Sequence, residues 1–280
     1  MTRSRAGVNS AWLLPARVEL DGNDLVWVEA TSGGTRVEPG RGLLERFIEL
    51  SDSSGEAILQ YARRWGVLCL CSHGLPMTHN PGDLSSPPFS ALARGAAALG
   101  QGCRPVRALH EGPDGRSSAM SREPLETWRD FAELARLTLD AALRLADSQS
   151  VNAAIWHSLL GMSEGAAGDA DLLAFVLRAW LKITDVRVGF EWGEPPQPTF
   201  VASSLLGAIA LELAFSVRGG AAVRCASCGT PFFPARRPPA GRRSYCPTCR
   251  QKGAPGRDAA REYWHRKGKY RRKRSNTPQP

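Results

Sequence analysis

The sequence predicts an α+β chain: a mainly helical body with small strands, followed by a compact cysteine-bearing module and a basic helix. Three observations carry this reading. Apolar residues recur at helical spacing through several stretches between Leu43 and Val217. Short runs near Val18 and Val186 alternate apolar and polar residues with the period of a strand. Two Cys-x-x-Cys pairs and a dense run of Lys and Arg occupy the C-terminal segment.

Val18 to Val28 flanks an Asp-Gly-Asn-Asp turn and reads as a short hairpin. Leu43, Leu44, Phe47 and Leu50 then fall at helical spacing. Ile58, Tyr61, Ala62 and Trp65 do the same, and Gly66 can end that second helix. The segment from Val67 to about Ser121 reads as an apolar strand or turn running into a long loop. The strongest helix expectation is Pro124 to Ala146, where Trp128, Phe131, Ala132, Ala135, Leu139, Ala142 and Leu145 make one stripe. Pro124 suits its first position. Further helices are expected at Val151–Leu160 and Leu172–Leu181, and a strand at Val186–Trp192. A helix apolar nearly all round, and therefore buried, follows at Ser203–Val217. Gly219 and Gly220 end it. The body's tryptophans and leucines read as core.

The expected domains are a mainly helical region over 1–218, a metal module over 219–256, and a basic helix and tail over 257–280. The chain has 280 residues, 42% of them hydrophobic, enough for one substantial core and a small appendage. No apolar run is long and clean enough to span a membrane; Gln197–Leu211 comes nearest. The N-terminal stretch lacks the hydrophobic segment of a signal peptide. A reducing, cytoplasmic location is therefore expected, where paired cysteines mean metal or redox chemistry.

Cys225 and Cys228 form one pair and Cys246 and Cys249 the other, with seventeen residues between. That matches the structural zinc pattern, two such pairs about 15 to 20 residues apart. A thioredoxin-like redox site would need one pair beside a βαβ unit, and none is expected here. One structural Zn²⁺ in a ribbon or treble-clef module is the expectation. Four thiolates would leave the ion no open position for catalysis. Gly229 permits the turn after the first pair, and Phe232 and Phe233 can cover the metal's apolar side.

From Phe200 to Lys273 the chain resembles the C-terminal part of CGNR-type zinc-finger proteins. The matching residues are Cys225, Cys228, Gly229, Phe233, Tyr245, Cys246, Cys249 and the Arg257–Arg274 segment. The resemblance implies a helical N-terminal domain ahead of a zinc module that binds DNA. The name-giving tetrapeptide is absent: Arg250-Gln251-Lys252-Gly253 follows Cys249.

Charge points the same way. From Arg224 onward there are sixteen Lys and Arg against only Asp258 and Glu262, whereas the rest of the chain is net acidic. Such asymmetry fits a polyanionic partner. The expected nucleic-acid contacts are Arg236, Arg237, Arg242, Arg243, Arg250, Lys252, Arg257, Arg261, Arg266, Lys267, Lys269, Arg271, Arg272, Lys273 and Arg274. Asp258 to Lys267 is expected to be helical after a break at Pro255-Gly256. Tyr263 and Trp264 can either pack on the module or stack on bases. Charge alone does not separate DNA from RNA; the resemblance favours DNA and transcription regulation.

A weaker constellation joins Cys69, Cys71, His73, His79, Cys103 and His110. Its spacing matches no metal motif, and a second metal site or buried thiols both remain open. Cys71 and His73 define an enzymatic alternative in which the N-terminal domain acts on a small molecule or a nucleic acid. No phosphate-binding loop, nucleophile elbow or His-Glu-x-x-His is present, so a binding protein and not an enzyme is expected. In a further alternative the zinc module docks a protein. The N-terminal domain is open to a small-molecule or protein partner.

Overall fold

The hairpin expected around Gly22 and Asn23 forms in the computed structural model, which describes residues 12–28, 35–40, 42–68, 107–111, 117–161, 168–184, 186–192, 197–202, 204–236, 238–239 and 241–275. Strand β1 (Trp12–Leu13) precedes β2 (Arg17–Asp21) and β3 (Asp24–Val28), which pair antiparallel with Asp21 opposite Asp24. Gly22 supplies the left-handed residue of the turn, at φ 61°. β4 (Arg36–Val37) pairs with β1.

Helix α1 (Leu43–Ile48) runs into a 3₁₀ turn, Glu49–Asp52, and α2 (Gly55–Trp65) follows. The Ser54 hydroxyl caps α2 by accepting from Ala57 N. Gly66 ends it at φ 98°, ψ −169°, a conformation essentially confined to glycine. A Cβ at Gly66 would also meet Trp12 Nε1 at 3.0 Å. That indole donates to Trp65 O at 2.6 Å. Gly66→Ala should therefore destabilise this unit by about 1–3 kcal/mol, read as an earlier denaturant midpoint. A midpoint unchanged from the parent would show that the turn is not held as described.

Strands β5 (Arg107–Glu111) and β6 (Ser117–Pro124) complete an antiparallel sheet of order β2-β3-β6-β5. This corrects the long-loop expectation for that region. Their sequences, Arg-Ala-Leu-His-Glu and Ser-Ser-Ala-Met-Ser-Arg-Glu-Pro, carry no β-branched alternation, so pairing of β6 with β3 and of β5 with β6 creates the strands where local propensity does not. Arg122 on β6 donates to Asp24 at 2.6 Å and Asp21 at 2.5 Å, across the hairpin.

Pro124 ends β6 and is the N-cap of α3 (Leu125–Ala146), which starts one residue later than expected. α3 is the core's spine. Trp128, Phe131, Ala132, Ala135 and Leu139 are buried. The Tyr61 ring meets Trp128 edge-on at 6.2 Å, and Phe131 meets Trp180 at 5.9 Å. Buried Glu123 accepts from Trp128 Nε1 at 2.8 Å and Leu68 N at 3.4 Å. Burial raises the Tyr61 phenol well above its ordinary value, and its hydroxyl donates to Leu43 O at 3.0 Å.

α4 (Ala153–Leu160) is capped by Asn152 and ends at left-handed Gly161. α5 (Asp169–Ile183) begins with Asp169, which accepts from Val151 N and Trp156 Nε1 and so ties the two helices together. β7 (Arg187–Glu191) pairs with β8 (Gln197–Val201). β8 has no counterpart in the sequence reading, and it contains Pro198; a two-stranded ribbon leaves each strand a free edge where proline is tolerated. Trp192 is an exception to the core reading: it is 91% exposed, beside exposed Phe190 and Val188. α6 (Leu205–Gly219) is buried on nearly every side, as its composition requires.

The chain forms two units, Met1–Gly219 and Gly220–Pro280. The second contains β9 (Val223–Arg224), β10 (Pro231–Phe232), α7 (Pro247–Gln251) and α8 (Ala254–Ser275). α8 starts four residues before the expected Asp258. Gly253, at φ 70°, makes the break instead of Pro255-Gly256, and proline is tolerated in a helix's first turn. Among the described residues, no helix is long and apolar enough to cross a membrane.

Candidate metal centre

β9 and β10 are too short to stand alone, but they aim one cysteine pair. Arg224 sits opposite Pro231 and Val223 opposite Phe232. The tip turns through Gly229, whose N–H donates to Cys225 O at 2.9 Å and whose φ is 76°. Cys225 N donates back across the tip to Thr230 O at 3.0 Å. The second pair lies on a helix start, not on a second hairpin, which is the treble-clef alternative rather than the ribbon. Cys246 is the N-cap of five-residue α7; Pro247 occupies the first turn, and the Cys246 sulfur accepts from Cys249 N at 3.5 Å.

Two contacts bring the pairs together. Ala226 N donates to Ser244 O at 2.7 Å, and Cys246 N donates to Cys225 Sγ at 3.4 Å. The four sulfurs all lie within 4.8 Å of one another, with Cys228 Sγ and Cys246 Sγ at 3.9 Å. Four ligands in a regular tetrahedron with metal–sulfur bonds of ~2.3 Å would have their sulfurs about 3.8 Å apart. A disulfide needs about 2.05 Å, and all four thiols are free. The arrangement can hold one divalent ion with every position filled by sulfur.

The thiols' proton affinities agree with a site built for a cation. Burial acts to raise Cys225, but the backbone N–H groups of Cys228, Cys246 and Ser227 outweigh it and bring the thiol down to about 6. Burial pushes Cys246 up to about 12, helped by the neighbouring thiols. Burial also raises Cys249. Four packed sulfurs do not ionise together unless a cation takes the protons' place. Metal uptake at pH 7 should therefore release protons, from Cys246 and Cys249 at least, and affinity should climb as pH rises from 6 to 9. Calorimetry in buffers of different ionisation enthalpy measures the release; an enthalpy identical in all of them would contradict it.

Phe232, Tyr245 and Ala254 bury themselves with Cys225, and Val223, Cys246 and Cys249 pack against them. Phe232 thus covers the sulfur cluster as expected, while Phe233 is only half-buried. The sequence reading missed the parts of Tyr245 and Ala254. The Tyr245 hydroxyl donates to Asp258 at 3.0 Å, tying the start of α8 to the cluster. Arg257 donates to Lys252 O, and Arg243 pairs with Glu262 at 2.8 Å.

Arg236, Arg242, Arg250, Lys252 and Arg266 are exposed and have no ion pair among the described residues. Arg261 lies 3.9 Å from Asp258, and Lys267 sits over the Tyr263 ring at 4.9 Å. Arg243, Arg257 and Arg261 are thus partly engaged, but exposed pairs of this kind are weak and exchangeable. Arg237 lies outside the described residues. Lys269, Arg271, Arg272, Lys273 and Arg274 are on α8, with side chains outside the described residues. Cys69, Cys71, His73, His79 and Cys103 lie outside them as well, and His110 is on β5 with its side chain likewise outside. Comparison of the chain with family models, curated proteins and solved structures gives no match.

Proposed function

We propose that the second unit is a nucleic-acid-binding module organised by one structural Zn²⁺, that its target is duplex DNA, and that the protein regulates transcription from a reducing cytoplasm. One observation carries the reading: a small sulfur-centred scaffold in a segment whose sequence holds sixteen Lys and Arg against only Asp258 and Glu262. Zinc is the ion of choice because four-thiolate tetrahedral sites in reducing compartments suit it. Filling every coordination position with sulfur leaves a metal that shapes and does not catalyse, which favours binding over enzyme chemistry. The CGNR-type resemblance of Cys225, Cys228, Gly229, Tyr245, Cys246, Cys249 and the basic helix belongs to this proposal and supplies its preference for DNA.

The metal's contribution is mechanical. It lets a short segment dispense with a large core, so its surface is free to carry charge. The cations then meet phosphates and release counterions. Phosphate contacts position a protein on a duplex without reading its sequence. The test is binding of the metal-loaded full-length chain to duplex DNA across a salt series and after chelation. Affinity that falls steeply with salt and disappears with the metal supports the proposal. Capture of a protein at salt that strips polyanions, with no DNA binding, would assign the module to docking instead.

A further inference from the structure

Charge does not account for Tyr263 and Trp264. They are 47% and 68% exposed on a helix that is otherwise strongly polar. Large aromatic surfaces left in water on a basic element are a feature of nucleic-acid binders that stack bases.

Their position follows from how α8 is held. Ala254 is buried in the sulfur cluster, Asp258 accepts from Tyr245, and Glu262 pairs with Arg243. These three residues recur every fourth position, so one stripe of α8 faces the module. At about 100° per residue, Trp264 lies about 120° round the helix from the middle of that stripe. Seven residues before and after it, positions 257 and 271 return to its own side, and both are arginine. The exposed indole therefore stands off the stripe that faces the module, with positions 257 and 271 each about 10 Å from it along the axis.

The two rings do different jobs. They meet edge to face, with centroids 5.7 Å apart and planes at 78°. They form a corner and not a continuous sheet. The Lys267 ammonium covers the Tyr263 ring at 4.9 Å, so Tyr263 is a wall and Trp264 is the available platform. Ala260, four residues earlier on the same side, and Gly268, four later, are the smallest neighbours a helix can offer.

We propose that Trp264 is a stacking platform for one unpaired base of a bound nucleic acid, with Tyr263 as the wall beside it and the flanking arginines on the adjoining phosphates. This rests on the nucleic-acid reading above and adds to it a preference for an opened or bulged base over continuous duplex.

The experiment compares three labelled DNA probes by fluorescence anisotropy with the metal-loaded full-length chain. One is a continuous duplex, one carries a single bulged adenine, and one carries the same bulge without its base. The bulged adenine should bind about fivefold to a hundredfold tighter than the continuous duplex. Removing the base should abolish that preference. Trp264→Ala should abolish it too, while leaving duplex affinity within about twofold and the salt dependence unchanged, because no cation is lost. Trp264→Phe should restore part of it. Metal content per chain, measured on each variant, confirms that the module is intact. A preference that survives Trp264→Ala, or salt-dependent duplex binding with no preference at all, would overturn this inference alone. Binding of none of the probes would overturn the nucleic-acid reading with it.

Discussion

Cys246→Ser should turn the second unit from a folded module into an open chain while the first unit keeps its own melting transition. The argument begins with the size of its core. Among the described residues, the buried cluster is Cys225, Phe232, Tyr245 and Ala254, with Val223, Cys246 and Cys249 partly buried against it. Three of those seven are candidate ligands. Burying a large apolar side chain contributes about 1.5–3 kcal/mol, while ordering each backbone residue costs about 1–2 kcal/mol. Two two-residue strands and a five-residue helix do not close that gap. A structural zinc supplies about 10–16 kcal/mol in small metal-folded peptides, which does. Serine is a useful probe because it is itself a good N-cap. The cap of α7 survives the substitution, so any loss reflects the missing thiolate. Hydrogen exchange should show protection lost over 220–275 and retained in α3 and α6, and chelation of the parent should reproduce the pattern. Elemental analysis should find about one zinc per parent chain. Metal-free protein whose residues 220–275 remain protected would refute the metal centre and the function built on it.

What the sequence made legible has a common physical cause. Helical stripes such as Trp128–Phe131–Leu139 are read from one segment, because a helix satisfies its own backbone hydrogen bonds. The candidate ligands were legible because a metal site imposes its spacing locally, two cysteines to a turn. What was missed depends on partners distant in sequence. β6 is a strand because β3 offers it an edge, and β5 because β6 offers the next one; neither Arg107–Glu111 nor Ser117–Pro124 advertises it. β8, which contains Pro198, has no counterpart in the sequence reading. The Tyr245–Asp258 bond joins residues thirteen apart through a fold that had first to be known. At α8 the error was one of punctuation: Pro255-Gly256 looks like a stop, but Gly253 already makes the turn, so proline falls where a helix accepts it.

Neutralising four exposed cations together, Arg242→Gln, Arg250→Gln, Lys252→Gln and Arg266→Gln, should cost on the order of a thousandfold in duplex DNA affinity at about 0.1 M salt, provided each meets a phosphate. These four are chosen because they are exposed and lack an ion pair among the described residues. Arg243 and Arg257 already contact Glu262 and Lys252 O within the module, so replacing them would change those contacts along with the charge. Arg250 lies on α7 and Lys252 just past its end, while Arg242 precedes Tyr245, so the set samples the chain before and after Cys246 as well as α8. The decisive quantity is a slope. Each cation that meets a phosphate steepens the fall of log affinity against log salt by about 0.9 for duplex DNA. Losing four contacts should flatten the line by up to about 3.6, and each single substitution by up to about 0.9. A patch that bound a protein would lose far less slope, because exposed protein–protein ion pairs are weak and release no condensed counterion layer. Chelation offers the complementary comparison: it leaves every charge in place and removes only the scaffold. If the chelated chain kept the parent's affinity and slope, the cations would be acting as a loose tail, and the sulfur cluster would have no part in presenting them. If chelation and neutralisation both weaken binding but only neutralisation changes the slope per bound chain, then metal and charge are doing separate work: the metal sets how many molecules are competent, and the arginines and lysines set how tightly each one holds.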